Sequence, residues 1–306
     1  MTNEYPFFSQ YDSCTLCPRA CHANRSVVGA AHSAPLGACQ MSSELRIARY
    51  GLHMWEEPCL SGEKGSGTIF FTGCPLHCIF CQNAAISRAN LPGRSYSVDE
   101  LSDAMLSLEE QGALNINLVT GVHYVPHIIA ALDCARAHGL KLPVIYNSGG
   151  YESINTLSML DGYIDIYLPD MKFFSTKLST TLAKVPDYFE RAKEAIAVMY
   201  AQVGKQQFDK DGILQKGLIV RHLVLPGEIF DSKHILDYLC STYGNDITIS
   251  LMNQYTPMPD MEGRLARAVL PREYDTLVDY LANLGQTNAY TQENGTVSES
   301  FIPDFE

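Results

Sequence analysis

The chain has 306 residues, which is enough for one large domain or two ordinary ones. Because 46% of its residues are hydrophobic and 18% are charged, it can form a large apolar core and is not predicted to be disordered. Its net charge of −12 argues against broad nucleic-acid binding, which requires a basic surface. No apolar run approaches the roughly 18 residues that cross a bilayer, and the N-terminus lacks the features of a secretory signal, so we expect a cytoplasmic protein without membrane contact.

The first part of the chain, residues 1–66, is predicted to be a small metal-binding module. In a reducing compartment, clustered cysteines indicate a metal site rather than disulfides. Four thiolates complete either a structural Zn²⁺ site or an auxiliary [4Fe–4S] cluster, and their spacing suits neither uniquely. Nearby Arg19, Asn24 and Arg25 add positive charge that would favour an anionic thiolate site. The four cysteines are Cys14, Cys17, Cys21 and Cys39.

From residue 67 onwards, short apolar strands alternate with helical patterns. The predicted strands are 67–71, 116–121, 142–147, 163–170, 217–227 and 246–257. The predicted helices are 97–112, 125–139, one near 152–160, 186–204, 231–244 and 271–285. This alternation predicts a parallel sheet covered by helices, with its functional site at the carboxyl ends of the strands. Six units are fewer than the eight of a full barrel. We therefore expect residues 67–306 to form a partial (β/α)6 barrel with a C-terminal extension. Alternation alone does not distinguish this fold from a doubly wound sheet.

Directly after the first of these strands, the stretch FTGCPLHCIFCQNA brings three cysteines together. Cys74, Cys78 and Cys81 have the spacing CxxxCxxC. Three thiolates hold three irons of a [4Fe–4S] cluster and leave the fourth iron open to an external ligand. The alternative is buried cysteines or a zinc site that would need a distant fourth ligand such as His77. The isolated Cys59, Cys134 and Cys240 are expected to be small buried hydrophobic residues.

This loop resembles the CxxxCxΦC signature of the radical S-adenosylmethionine (SAM) superfamily. The resemblance implies a partial (β/α)6 barrel and an open iron that chelates the amino and carboxylate groups of SAM. It also implies reductive cleavage of SAM to methionine and a 5′-deoxyadenosyl radical, which abstracts a hydrogen atom from a substrate. A reductant such as flavodoxin or ferredoxin is implied as a partner, and Phe80, just before the third cysteine, would pack near the adenine.

Further stretches resemble relatives of pyruvate formate-lyase activating enzyme, in a branch that is poorly characterised. They are CTLCPRAC, HMWEEPCLSGEKGSGTIFFTGC, FCQN, INLVTGVHYVP, DIYLPDMKF and VRHLVLPG. Many such proteins end the second strand with a Gly-Gly-Glu turn that binds the SAM amino group. Here no carboxylate follows Gly121, so its backbone carbonyl and the side chains of Thr120 and His123 are the candidates for that role.

The ends of later strands supply further candidate SAM ligands. By the same resemblance, Asp170 and Lys172 would lie near the SAM pocket, and the alternative is a solvated ion pair. Arg221 would bind the SAM carboxylate with two of its three guanidinium nitrogens, while His222, on the opposite side of the strand, would face the helices. Asn147, like the stretch 253–255, would contact SAM or substrate, and the alternative is ordinary strand-end capping.

We therefore predict a radical SAM enzyme whose substrate stays open. One option is a glycine of a glycyl radical enzyme, and the other is a small molecule or a peptide, with SAM either consumed or recycled. The insertion 171–217 is expected to shape the substrate entrance. A non-enzymatic Fe–S or zinc protein that carries electrons or binds partners is the second class, but it would not need an open iron or a six-unit barrel.

Overall fold

A computed structural model of the protein describes residues 5–26, 36–88 and 92–292. Parts of the predicted N-terminal module and the predicted C-terminal extension beyond residue 292 lie outside these ranges. The described strands are β1 (Arg46–His53), β2 (Ser66–Phe71), β3 (Arg94–Ser95), β4 (Ile116–Val119), β5 (Val144–Ser148), β6 (Ile166–Pro169), β7 (Gln207–Phe208), β8 (Leu214–Leu223), β9 (Thr248–Met252) and β10 (Ala289–Thr291). The described α-helices are α1 (Pro58–Ser61), α2 (Ala84–Ser87), α3 (Val98–Glu110), α4 (Val125–Ala137), α5 (Ile154–Met159), α6 (Thr176–Ala183), α7 (Tyr188–Val203), α8 (Ile229–Tyr243) and α9 (Pro271–Asn283).

Six parallel strands form the centre of the sheet in the order in which they occur in the chain. β2, β4, β5, β6, β8 and β9 are consecutive neighbours, and each pairs in parallel with the next. A doubly wound sheet reverses its strand order at a switch point, whereas this order runs in one direction, as in a partial (β/α)6 barrel. The predicted α/β fold with a parallel sheet is confirmed. Within the described residues the end strands β10 and β3 are not neighbours, so the sheet is open.

An antiparallel edge at β1 is not predicted by the sequence pattern. β1 pairs antiparallel with β2, with Tyr50 opposite Ile69, and β3 pairs antiparallel with β1. Apart from the buried Ile47, its residues are half-buried or exposed and include Arg46 and Arg49, so they lack the continuous apolar run of a strand that is buried on both faces. Residues 46–53 therefore belong to the same sheet as the barrel strands, and the division of the chain at residue 66 stays a prediction.

The central strands are buried on both faces, and alternate residues pack into different clusters. Ile219 of β8 packs with Ile145 and Ile166 in a small cluster on one face of the sheet, whereas Val220 packs into the main core with the helices. Because side chains alternate along a strand, Arg221 shares the face of Ile219 and His222 shares the face of Val220. The carboxyl ends of these strands are where the candidate site residues gather.

The bounds of the elements differ from prediction mainly at their ends. β8 starts at Leu214 because it pairs with β7 in an antiparallel hairpin, and it ends at Leu223, ahead of the Pro226-Gly227 turn. α3 begins at Val98 with a capping box, in which Ser97 and Glu100 satisfy each other's backbone N–H groups. Among the helices of the described residues, none combines the length and apolar character that crossing a bilayer demands.

Candidate functional site

The loop with the three cysteines leaves β2 at the carboxyl edge of the sheet. Gly73 begins it with a φ of 92°, and a Cβ at this position would collide with Met41 and lie 3.0 Å from the Cys39 carbonyl oxygen, so this turn requires glycine. The Ile79 N–H donates to the carbonyl of Leu182, just before the end of α6, at 2.9 Å. A tight internal turn follows, in which the Cys81 N–H donates to the Cys78 carbonyl at 3.2 Å.

The three thiols of this loop lie within electrostatic reach of one another. Burial raises the pKa of Cys74 well above its usual range, and the neighbouring Cys81 and Cys78 raise it further. Burial also raises the pKa of Cys78 to about 12, although the positive charge of Lys172 opposes this shift. The Ser87 hydroxyl donates to the Cys81 sulfur at 3.4 Å. A metal binds the thiolate form of cysteine, so these thiols would lose their protons when a metal binds them.

Lys172 and Asp170, both named by the sequence analysis, form an ion pair beyond the end of β6. Burial acts to lower the pKa of Lys172, but the charges of Asp170, Cys78 and Cys81 outweigh it and raise this pKa. The side chains are 19% and 22% exposed, so the pair is mostly shielded from water. The structure therefore places the predicted pair beside the cysteine loop, and the ammonium acts on Cys78 together with the Arg88 guanidinium.

Phe80, a residue of the cysteine loop, is buried against two other aromatic rings. Its ring centroid is 6.0 Å from that of Phe173 and 6.2 Å from that of Tyr255. Tyr255 follows β9, in the stretch 253–255 that the sequence analysis singled out. An apolar aromatic wall is thus present beside the cysteines, and the adenine contact of Phe80 stays a prediction.

Of the residues predicted after β4, Thr120 lies at the cysteine loop, whereas His123 does not. Thr120 has a φ of 59°, donates its N–H to the Asn147 carbonyl at 2.8 Å, and lines a cavity together with Cys74. Gly121 is packed so closely that a Cβ would lie 2.5 Å from Cδ1 of Ile128. His123 is not among the residues that line this cavity. Its Nε2 donates to the Thr72 carbonyl at 2.8 Å, and burial, reinforced by Arg25, lowers its pKa to about 3.

Arg221 lies on the same face of the sheet as Ile219, where it binds two glutamates that the sequence analysis did not single out. Its guanidinium donates to Glu57 from Nε at 2.8 Å and from a second nitrogen at 2.6 Å, and it also pairs with Glu56. Burial acts to raise the pKa of Glu57, and Arg221 outweighs it and lowers this pKa. The SAM contact predicted for Arg221 would require part of this pairing to change. Asn147 is buried at the end of β5, whereas His222 faces α8 as expected and lies 2.9 Å from the Ser232 hydroxyl.

The four N-terminal cysteines lie close to one another and to the cysteine loop. Burial raises the pKa of Cys17 to about 12, with the other three thiols, Cys39, Cys14 and Cys21, adding to the shift. Arg19 donates to the Pro75 carbonyl at 3.1 Å, and the Cys39 carbonyl adjoins Gly73 as described above. The segment that carries these cysteines therefore packs directly against the loop of Cys74.

Arg25 is fully buried among these cysteines. It donates to the carbonyls of Met41, His123 and Ser42 at 2.8 to 2.9 Å and to the Cys14 sulfur at 3.5 Å. Its guanidinium also stacks over the Tyr11 ring at 4.9 Å. None of these partners is a carboxylate. A buried guanidinium without a carboxylate is costly unless another anion lies nearby, and the thiols are the neighbouring groups that can become one.

Comparison with known proteins decides the family. The profile of the radical SAM superfamily matches residues 68–239, which is more than half of the chain. The chain belongs to the radical SAM superfamily. The match begins inside β2 and includes the cysteine loop, so the predicted family is confirmed and implies a [4Fe–4S] cluster and SAM.

Individual relatives of this radical SAM protein are distant. An uncharacterized protein of Methanocaldococcus jannaschii is 26% identical over 287 residues, which cover 90% of this chain and 77% of that protein. A variant of spore photoproduct lyase has a similar fold, with a TM-score of 0.50 at 12% identity over 89% of this chain and 88% of the lyase. Streptococcus suis SuiB, solved with its precursor peptide SuiA, gives 0.48 at 16% identity over 72% of this chain. The chain spans less than half of SuiB, 46% of its length.

The residues of the loop fit the cluster that the radical SAM family implies. In the described parts of the chain, no three His, Cys, Asp or Glu side chains are gathered closely enough to hold a single metal ion. A four-iron cluster instead distributes its ligands over the corners of a cube. The donor set of the loop is entirely sulfur, which suits iron–sulfur ligation, and Lys172 balances part of the thiolate charge.

Sequence reasoning missed Glu152, which is the carboxylate that lines the cavity beside Cys74. It lies just past the Gly149-Gly150 turn at the carboxyl end of β5. The rule that sites lie at the carboxyl ends of strands would have found it. Glu56 and Glu57 carried no comparable signal, because they precede β2 and reach Arg221 only through the fold.

Proposed function

We propose that this radical SAM protein generates a 5′-deoxyadenosyl radical and takes a hydrogen atom from a glycine of a partner, a glycyl radical enzyme. The observation that supports the SAM chemistry is the placement of three thiols directly after β2 at the carboxyl edge of the sheet. The choice of glycine rests on the resemblance of DIYLPDMKF and similar stretches to activating enzymes. Modification of a small molecule or a peptide is the alternative for the same radical.

The chain's own residues would hold and shield the reactants. A cluster bound to Cys74, Cys78 and Cys81 supplies the single electron that breaks a carbon–sulfur bond of SAM and leaves methionine and the radical. Lys172 offsets the thiolate charge, and the buried wall around Phe80 keeps water from the radical. Hydrogen abstraction then forms 5′-deoxyadenosine and leaves the unpaired electron on the substrate. The electron would come from a flavodoxin or a ferredoxin.

Anaerobic reconstitution with iron and sulfide, followed by dithionite and SAM, tests this chemistry. We expect 5′-deoxyadenosine and methionine in equal amounts, measured by liquid chromatography. Cys78→Ala should abolish both products, whereas Cys240→Ala, a partly exposed cysteine of α8, should retain them. Absence of 5′-deoxyadenosine from a fully reconstituted protein would refute the proposed chemistry.

A separate experiment tests the glycine. Glycyl radical enzymes encoded by neighbouring genes would be incubated with the reconstituted protein, SAM and dithionite, and examined by electron paramagnetic resonance. A glycyl radical signal that disappears when the partner's radical glycine is replaced by alanine supports the proposal. Production of 5′-deoxyadenosine without any such signal would favour the small-molecule or peptide alternative.

We also propose that Cys14, Cys17, Cys21 and Cys39 bind a second metal, either an auxiliary [4Fe–4S] cluster or a zinc ion, for which these thiols would have to come closer together than they are in this structure. Buried Arg25 supports this, because four metal-bound thiolates would provide the negative charge that its environment otherwise lacks. Iron and zinc analysis of the wild type, Cys17→Ala and a Cys134→Ala control would identify the metal. If Cys17→Ala retains the full wild-type content of both metals, the second site is not formed by these residues.

A further inference from the structure

A cavity beside Cys74 lies at the carboxyl ends of three neighbouring strands. Cys74 follows β2, Thr120 and Val122 follow β4, and Tyr151 and Glu152 follow β5. Parallel strands of an α/β protein present their ligand sites at this edge. The cavity therefore adjoins the thiol that would hold the cluster, in the place where SAM must approach it.

Glu152 is the charged residue of this cavity, and it is built in an unusual way. Glu152 is only 4% exposed, and its Oε2 has no hydrogen-bond partner. Burial raises the pKa of Glu152 to about 8, and the negative charge of Asp170 adds to this, while the Ser148 hydroxyl and Lys172 act in the opposite direction. A buried carboxylate oxygen without a donor is costly, so such groups usually have a partner.

No cation of the described site is free to serve as that partner. Lys172 is the positive group that acts on Glu152, but its ammonium is already bound by Asp170. Tyr146, whose buried hydroxyl also lacks a partner, is a neutral donor near Glu152, so a ligand in the cavity can supply the charged donor that Oε2 lacks. The ligand group that best stabilises the carboxylate carries both N–H donors and positive charge.

SAM carries one group of that kind. Its sulfonium is positive but has no hydrogen to donate, and its ribose and adenine donors are neutral, whereas the amino group of its methionine part offers N–H donors and takes up a proton. We infer that Glu152 binds the amino group of SAM. This inference rests on the proposed SAM chemistry and gives the site the carboxylate that is missing after Gly121, supplied by the turn after the next strand.

The test is a binding measurement in which no SAM is cleaved. Reconstituted wild type, Glu152→Gln and Glu152→Asp would be dialysed anaerobically, without reductant, against SAM and against its analogue with hydrogen in place of the amino group. We expect Glu152→Gln to weaken SAM binding by about 10- to 100-fold, the range of a hydrogen bond to a charged group. The affinity for the desamino analogue should stay unchanged.

Controls separate this inference from general damage. Glu63→Gln, at an exposed carboxylate remote from the cavity lining, should bind both ligands like wild type. Iron content and thermal unfolding would be compared for every variant. If Glu152→Gln does not load iron, the ratio of the two affinities in Glu152→Asp provides the test, because it should shrink toward one.

The outcomes distinguish two failures. If Glu152→Gln binds SAM as tightly as wild type, or weakens both ligands equally, the assignment of Glu152 is wrong while the SAM chemistry stands. If wild type itself binds no SAM and yields no 5′-deoxyadenosine, the proposed function fails and the assignment fails with it.

Discussion

The two groups of cysteines differ in the cation that accompanies them. Beside the loop of Cys74, Lys172 is paired with its own carboxylate, Asp170, and Arg88 also acts on Cys78. Beside the N-terminal group it is Arg25, whose hydrogen-bond partners are backbone carbonyls and the Cys14 sulfur. A cation that is already paired with a carboxylate offsets less of the thiolate charge than a cation without one does. The N-terminal group is therefore more dependent on its cation than the loop is.

The largest expected effect comes from Arg25→Met. The substitution leaves the carbonyls of Met41, Ser42 and His123 buried without their donor, each at about 1 to 3 kcal/mol. We expect a loss of about 4 kcal/mol in the free energy of unfolding, measured by urea denaturation, and loss of any metal from the N-terminal site. A loss no larger than that caused by Lys172→Met would contradict the proposed difference between the two cations.

A smaller effect is expected from Lys172→Met, which leaves Asp170 without its ammonium in a mostly buried place. Because the pair retains some contact with water, we expect a loss of about 2 kcal/mol rather than the larger cost of a fully buried break. Lys205→Met is the matched control, since Lys205 also pairs with a carboxylate, Asp246, but is 73% exposed. Equal effects of the two lysine substitutions in urea denaturation would contradict the burial argument.

One contribution to the pH dependence of stability comes from two histidines on the side of Arg25. Burial, reinforced by Arg25, lowers the pKa of both His123 and His127 to about 3. The unfolded chain binds protons at these histidines near pH 6.5, so stability is complete above that pH and is lost as the pH falls toward 3. Each histidine contributes a slope of about 1.4 kcal/mol per pH unit in that window.

His123→Gln should therefore flatten the stability curve between pH 6.5 and 4, measured by urea unfolding at a series of pH values. An identical slope in wild type and His123→Gln would show that this histidine is not held neutral by its surroundings.

The smallest effect is expected from Arg19, which links the segment of the N-terminal cysteines to the loop of Cys74. Arg19→Ala removes hydrogen bonds to the carbonyls of Pro75, Ala183 and Lys184, of which the first two are partly buried and the third is exposed. We expect a loss of about 1 kcal/mol in urea denaturation. Hydrogen exchange at the amides of residues 74–81 should quicken, and unchanged exchange there would indicate that the loop is held by α6 alone.

Much of this fold follows from local patterns. The six central strands and the helices between them were predictable because each strand is buried on both faces and reads as an apolar run. β1 was not predictable, because its half-exposed residues lack such a run. The cysteine spacing indicated the cluster loop because the chemistry needs three sulfurs within a short turn.

Other site features depend on contacts between distant parts of the chain. Arg221 meets Glu56 and Glu57 across more than 160 residues, and no local pattern records that pairing. Nor does the order of residues show that His123 turns toward Thr72 rather than toward the cavity. Those outcomes depend on which side chains the folded sheet brings to one face.

The hydrogen bond from Arg19 to the Lys184 carbonyl also constrains the order of events during synthesis. The two residues are 165 positions apart, and at about 5 to 20 residues per second the ribosome needs roughly 10 to 30 s to produce the second after the first. During that interval the N-terminal cysteines are already made but lack the surface on which they finally rest. Their thiols are then open to whatever metal or oxidant the cell offers, so the supply of metal during translation would set how much of the protein matures correctly.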